Sequence, residues 1–303
     1  MPKTVIQKLG KCQNNDLYIK REDLLPFSFG GNKARKAELF FQEIARGNYD
    51  CVVTYGSSSS NHCRVVANAC CQRNMLCYII SPQEASEPTF NSQMMAVFGA
   101  EITTVLVEKV HDAIEDKLKS LREAGKNPYF IPGGGHGNIG TQAYVLCYEE
   151  IKSWEEENGI HFDYIFHASG TGTTQAGLVC GQLLHGDERK IVGISIARKN
   201  PRGRDVVCDS VREYLGNRAS ENQMQNAVCF LDDYTAGYGK EDGAVSETIQ
   251  NVLRQYGIPL DMTYTGKAFT GMLDYSKTLK DKTILFIHTG GTPLFFDYLR
   301  KNS

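Results

Sequence analysis

Cys51-Val52-Val53-Thr54-Tyr55-Gly56-Ser57-Ser58-Ser59-Ser60-Asn61-His62 runs from an apolar stretch, through a turn of small residues, into the start of a helix. Cys51 to Thr54 shows no period-2 polarity, which is how a strand buried on both faces reads. The helix continues to Asn74. A buried strand feeding a helix is the repeating unit of a parallel sheet covered on both sides.

The same alternation continues outward from this unit. Upstream, Leu17-Tyr18-Ile19-Lys20 reads as a strand, and Asn32 to Ala45 as a helix with Ala37, Phe40, Phe41 and Ile44 at helical spacing. Downstream, Leu76 to Ile80, Glu101 to Val107 and Tyr129-Phe130-Ile131 read as strands, separated by helices at Ser92 to Phe98 and His111 to Ala124. A Gly-rich turn then enters a long helix, Ile139 to Asn158. The second half repeats the rhythm, with strands at Tyr164 to His167, Ile191 to Ile196 and Ile284 to His288, and helices at Thr174 to Leu184 and Gly243 to Gln255. No internal repeat, low-complexity segment or long linker interrupts it. The expected fold is α/β and two-lobed, with parallel sheets flanked by helices and a cleft between the lobes.

Bulk composition narrows the function classes. The chain has 303 residues, 41% apolar and 22% charged, with a net charge of -2, and a pI near 6.4. That balance points to neither nucleic acid nor a membrane surface as partner. No apolar run approaches the ~20 residues of a membrane span, and Met1 to Val5 does not open an apolar leader. A cytoplasmic location is the expectation. Ten cysteines form no C-x-x-C pair and most sit in apolar segments, so they read as reduced, packed thiols. Seven scattered histidines give no metal-ligand spacing, and no metal is expected.

Three turns sit at strand-to-helix junctions, where free backbone N–H groups and the positive helix end face a ligand. Gly30-Gly31-Asn32-Lys33 places a lysine where the helix end helps lower its pKa, as suits a Schiff-base lysine. Taken alone, with Arg35 and Lys36 beside it, this stretch reads more simply as a solvated lysine at a helix start. Gly56 to His62 offers small donors for a carboxylate or a phenolic oxygen. Ser169-Gly170-Thr171-Gly172-Thr173-Thr174 reads as a phosphate cradle, although no G-K-[ST] follows. Gly135-His136-Gly137-Asn138-Ile139-Gly140 matches G-x-G-x-x-G, but the next strand ends at His167-Ala168-Ser169 without the acidic residue a dinucleotide site wants.

Taken in order along the chain, these stretches resemble the fold-type II pyridoxal-phosphate enzymes, whose architecture is that of the tryptophan synthase β-like group. The nearer resemblance is to the family of D-cysteine desulfhydrase and 1-aminocyclopropane-1-carboxylate deaminase. It rests on Lys20-Arg21-Glu22-Asp23 with Gly30 to Lys36, on Ser60-Asn61-His62, on Gly170 to Thr174, on Tyr264-Thr265-Gly266-Lys267, and on His288-Thr289-Gly290-Gly291-Thr292-Pro293. Five ordered matches are more specific than any one of them, and they lift Lys33 above the solvated reading. The resemblance implies that Lys33 carries pyridoxal 5'-phosphate covalently and moves the Cα proton. It implies that Asn61 bonds the phenolic oxygen, and that Gly170, Thr171, Gly172, Thr173 and Thr174 hold the phosphate. Thr289 lies against the pyridine nitrogen. Ser60, with Asn61 and His62, takes the substrate, and Tyr264 is the acid/base near the leaving group. It also implies a homodimer, and a small lobe, 37–140, inserted into a large one, 1–36 plus 141–303.

The resemblance separates two activities. In the deaminases a Glu follows the tyrosine and keeps the pyridine nitrogen protonated, which makes the ring a strong electron sink. Thr265 stands there instead, and His62 stands where the deaminases carry Gln. Both favour α,β-elimination from a small amino acid, D-cysteine or a relative, over ring opening. β-Replacement shares the early chemistry, and a non-catalytic binding protein is opposed by the intact Lys33, Ser60, Asn61 and Tyr264. Leu24-Leu25-Pro26-Phe27, Gly133 to Asn138 and Pro293-Leu294-Phe295 depart from the family pattern near the expected cleft.

Overall fold

A computed structural model of the chain describes residues 2–234 and 242–302. β1 (Ile6–Cys12) and β2 (Asn15–Arg21) form an antiparallel hairpin. There follow α1 (Asn32–Arg46), β3 (Cys51–Tyr55), α2 (Asn61–Gln72), β4 (Leu76–Pro82), α3 (Phe90–Val97), β5 (Glu101–Val105), α4 (Val110–Glu123) and β6 (Pro128–Phe130). The chain continues through α5 (Asn138–Asn158), β7 (Tyr164–Ser169), α6 (Thr173–His185), β8 (Lys190–Ser195), α7 (Arg202–Leu215), α8 (Glu221–Ala227) and β9 (Val228–Leu231). It ends with α9 (Gly243–Tyr256), α10 (Thr265–Ser276), β10 (Thr283–His288) and α11 (Thr292–Asn302).

The strands build a six-stranded sheet, β1-β2-β10-β7-β8-β9, and a four-stranded sheet, β5-β4-β3-β6. Every pairing is parallel except β1 with β2. The central strands are apolar on both faces, since Ile165, Phe166, Ile191, Val192 and Ile194 are all fully buried. Such strands need a helical layer on each side. On one face of the large sheet Tyr144, Tyr148 and Ile151 of α5 pack with Leu178 and Val179 of α6 and Val211 of α7. On the other face lie Ile249 of α9, Phe269 and Met272 of α10, and Phe295 and Tyr298 of α11. Helices α5 and α6 run in close contact, because Gly177 offers no Cβ; one would stand 2.4 Å from the Thr141 carbonyl.

β1, α7, α8, β9, α10 and α11 lie outside the elements read from periodicity. β1 is an edge strand, with Ile6 and Leu9 buried while Lys8 and Lys11 reach the acidic Asp16. α10 opens with Thr-Gly-Lys, which reads as a turn. All ten cysteines are unpaired thiols. Among the described residues no cluster of three or more His, Cys, Asp or Glu could hold a metal, and no helix is long and apolar enough to cross a membrane.

Candidate active site

The carboxyl ends of β3, β7, β8 and β10 open on one cavity of about 320 Å³, together with the first residues of α1, α2, α6 and α10. This is where ligands sit in open α/β sheets, and the volume suits a small cofactor. Its wall brings together Lys33, Ser60, Asn61, His62, Gly170, Thr171, Gly172, Thr174, Tyr264 and Thr289. Of the sequence-read site residues, Thr173 alone is off the wall. Its hydroxyl turns away to His136 Nδ1, at 2.8 Å.

Lys33 comes off the first turn of α1, where Gly31 lies so close to the β10 end that a Cβ would be 2.6 Å from the Thr289 carbonyl. Lys33 is half-buried, and its Nζ donates to the Gly134 carbonyl at 3.1 Å. Loss of water holds its pKa down at about 8. Arg35 and Lys36 correct the solvated reading of this turn, being 0% and 1% exposed. Lys36 reaches the same Gly134 oxygen at 3.4 Å. Burial and the Lys33 charge push its pKa far down, and among the described residues it has no acidic partner within hydrogen-bonding distance. It was not among the sequence candidates, and nothing in an Arg-Lys pair at a helix start marks one member as internal.

The Ser-rich turn shows why each of its polar groups points as it does. Ser60 caps α2 by accepting from the Cys63 N–H at 3.1 Å, which leaves its own hydroxyl hydrogen free to donate. Asn61 Oδ1 accepts from Asn91 Nδ2 at 3.0 Å and from Arg64 Nη2 at 3.4 Å. With its oxygen so occupied, the Asn61 amide presents Nδ2 as a donor to the cavity. Thr54 donates to the Ile131 carbonyl at 2.7 Å, so it accepts from His62 Nε2 at 2.9 Å. His62 therefore carries its proton on Nε2. Burial together with Lys33 and Lys36 keeps it neutral.

The α6 end is built for an anion. Thr173, Thr174 and Gln175 are buried, and Gly172 provides no side-chain cap. A buried helix start with free N–H groups and no cap wants a negative ligand. Asn32 Nδ2 fixes the Thr174 hydroxyl from 3.1 Å. A phosphate at this helix end, a primary amine that readily loses its proton, and an amide donor from Asn61 together fit pyridoxal phosphate.

On the opposite side, Asp261 accepts the N–H groups of Thr263, Tyr264 and Thr265 at 2.9, 2.7 and 3.1 Å, and the Thr265 hydroxyl at 2.7 Å. These bonds hold the start of α10 and thereby Tyr264. Thr265 is fully buried and faces Asp261, not the cavity. Among the described residues, no Asp or Glu lines the cavity. Because the Lys33 amine is half deprotonated near pH 8, reductive labelling of the apoprotein by pyridoxal phosphate should rise with pH around that value. Peptide mapping of the label at pH 6 to 10 checks this, and a midpoint above pH 10 would mean a solvated lysine.

Comparison with known proteins bears on the same residues. The family model described as pyridoxal-phosphate dependent enzyme matches residues 2–290. D-cysteine desulfhydrase of Serratia proteamaculans (strain 568) is 31% identical over 312 residues, covering 97% of this chain and 93% of the relative. The crystal structure of an ACC deaminase homologue superimposes with a TM-score of 0.87 at 30% identity, covering 99% of this chain and 93% of that one. A hydrogen sulfide-producing enzyme from Fusobacterium nucleatum shares the fold, with a TM-score of 0.70 at 20% identity, covering 96% of each chain.

Proposed function

This chain belongs to the pyridoxal-phosphate dependent enzyme family, and on that premise we propose that it eliminates the β-substituent of a small amino acid, D-cysteine or a close relative. With D-cysteine and one water the products are ammonia, pyruvate and hydrogen sulfide. The carrying observation is the absence of any carboxylate from the cavity wall among the described residues. Pyridoxal phosphate, when bound, withdraws electrons from Cα, and a carboxylate at its ring nitrogen would strengthen that pull. Loss of a thiolate needs less of it than opening a cyclopropane does.

The protein's own groups divide the work. The α6 start would take the phosphate of bound pyridoxal phosphate, with Gly170 to Thr174 supplying N–H groups and hydroxyls. Asn61 Nδ2 donates to the phenolic oxygen. The α2 start and the Ser60 hydroxyl take the substrate carboxylate. Lys33, whose amine is neutral in a large fraction of molecules near pH 8, removes the Cα proton. Tyr264 would donate a proton to the leaving group, and the neutral Thr289 would be the partner of the pyridine nitrogen of bound pyridoxal phosphate.

We take 37–140 as a small lobe inserted in 1–36 plus 141–303; the four strands of the smaller sheet all lie between Cys51 and Phe130. A cytoplasmic homodimer is part of the same reading, and Leu24, Phe29 and Phe296, exposed at 56%, 53% and 50%, are apolar surface a second copy could cover.

The test is product release by the purified, cofactor-loaded protein. D-cysteine should give sulfide, ammonia and pyruvate. The cyclopropane amino acid should give its 2-keto acid about 10²-fold more slowly or not at all, the deficit of a site lacking one electrostatic partner. Equal rates would overturn the reading. A new amino acid appearing when thiols are added would assign β-replacement.

A further inference from the structure

Arg198 follows β8 and is part of the cavity wall. Its Nη1 is buried and makes no hydrogen bond. The charged and titratable groups acting on it are Arg202, which repels it, Tyr55, the last residue of β3, and His136, whose protonated form it disfavours. Its backbone is pinned, with the Ser195 hydroxyl donating to the Arg198 carbonyl at 2.6 Å and accepting from the Ala197 N–H at 3.2 Å. Arg198 is half-buried, and a buried N–H of a charged group left without a partner is costly, so native proteins pair such atoms. No carboxylate of the described residues does so here, so the partner is to be sought in the cavity.

Two anions already have their places under the proposed function, on which this inference rests. The phosphate goes to the α6 start, and the substrate carboxylate to the α2 start with Ser60. Arg198 stands on neither of these helix starts but directly after β8, on the same cavity wall. We propose that Arg198 is the specificity-determining residue for the substrate's side chain, and that it selects amino acids whose side chain ends in an anionic group. D-cysteine enters that class as its thiolate, which with the proton from Tyr264 leaves as hydrosulfide.

Aspartate and asparagine differ little in size and chiefly in charge, so they serve as probes, each enantiomer being titrated against the holoenzyme by its cofactor absorbance. Wild type should bind aspartate at least about tenfold tighter than asparagine, the scale of one charge-assisted hydrogen bond. Arg198→Gln should erase that gap by weakening aspartate alone, Arg198→Lys should restore part of it, and both variants should retain cofactor as wild type does. Equal binding by wild type overturns the proposal. So does a variant that weakens asparagine as much as aspartate, since Arg198 would then hold the α-carboxylate. A variant that sheds the cofactor would assign Arg198 to the phosphate instead, and likewise overturns it. Sulfide release from D-cysteine without an aspartate preference removes this inference and leaves the proposed function standing. An aspartate preference without any elimination does the reverse.

Discussion

Lys33→Ala should give a colourless protein whose elimination rate falls by at least about 10³-fold, the combined loss of the covalent anchor and of the base at Cα. The expectation rests on placement more than on residue type, because α1 buries a second lysine three residues on. Lys33 and Lys36 share the Gly134 carbonyl, at 3.1 and 3.4 Å, and the pKa of each is lowered by burial. Only Lys33 is on the cavity wall. Lys36→Ala should therefore keep a borohydride-reducible link, whereas Lys33→Ala should lose the link itself. Adding a small primary amine to Lys33→Ala should recover part of the rate if the fold is intact. A link that survives in Lys33→Ala and disappears in Lys36→Ala would move the attachment site by one helical turn.

That pair also shows where sequence reading reaches its limit. Strand and helix periodicity reveals the alternation of β3 to α6, most clearly at β3 and β7, which are buried along nearly their whole length. The small-residue turns disclose helix starts that lack bulky caps. Position relative to a cleft is another matter. Lys20, Arg35 and Lys36 look like solvated charges in sequence, yet each is 1% exposed or less. Which charges turn inward depends on partners far along the chain, such as Glu150 for Arg35 and the Gly134 carbonyl for Lys36. The Thr173 hydroxyl is turned aside for the same reason. It belongs to the right loop, but His136, from a turn 37 residues upstream, takes its hydroxyl. Asn91, which sets the orientation of Asn61, comes from α3 and carries no motif at all. Elements without inward periodicity, β1 and the short β9 among them, are built by pairing with neighbours already in place.

Glu22→Ala should destabilise the protein by about 3–5 kcal/mol, as removal of one partner from a buried ion cluster does. Glu22 follows β2 and is 0% exposed. Its carboxylate accepts from Arg35 Nε at 2.5 Å and Nη2 at 2.8 Å, and from the Thr4 hydroxyl at 2.6 Å; Lys20 Nζ lies 3.6 Å away. Glu150 of α5 closes the cluster, meeting Arg35 at 2.7 Å and Lys20 at 2.9 Å. Without Glu22, two buried cations would share one carboxylate. Burial alone would raise the Glu22 pKa, but Arg35 and Lys20 outweigh it and hold the value down at about 2, against an ordinary 4.5. That gap is worth about 3 kcal/mol at neutral pH, in line with the figure for the substitution. Because the folded value is the lower one, this stability is fully present above pH 4.5 and is lost as pH falls towards 2. Thermal unfolding of wild type and Glu22→Ala should differ by roughly 10 °C at pH 7, and the difference should shrink steadily between pH 4.5 and 2. An unchanged difference across that window would place the effect in packing, not charge. Because Arg35 lies on the same helix as Lys33, the cluster also fixes the α1 turn that aims the lysine. Glu22→Gln, which keeps the shape and loses the charge, should then melt between the two and release cofactor at a lower temperature than wild type.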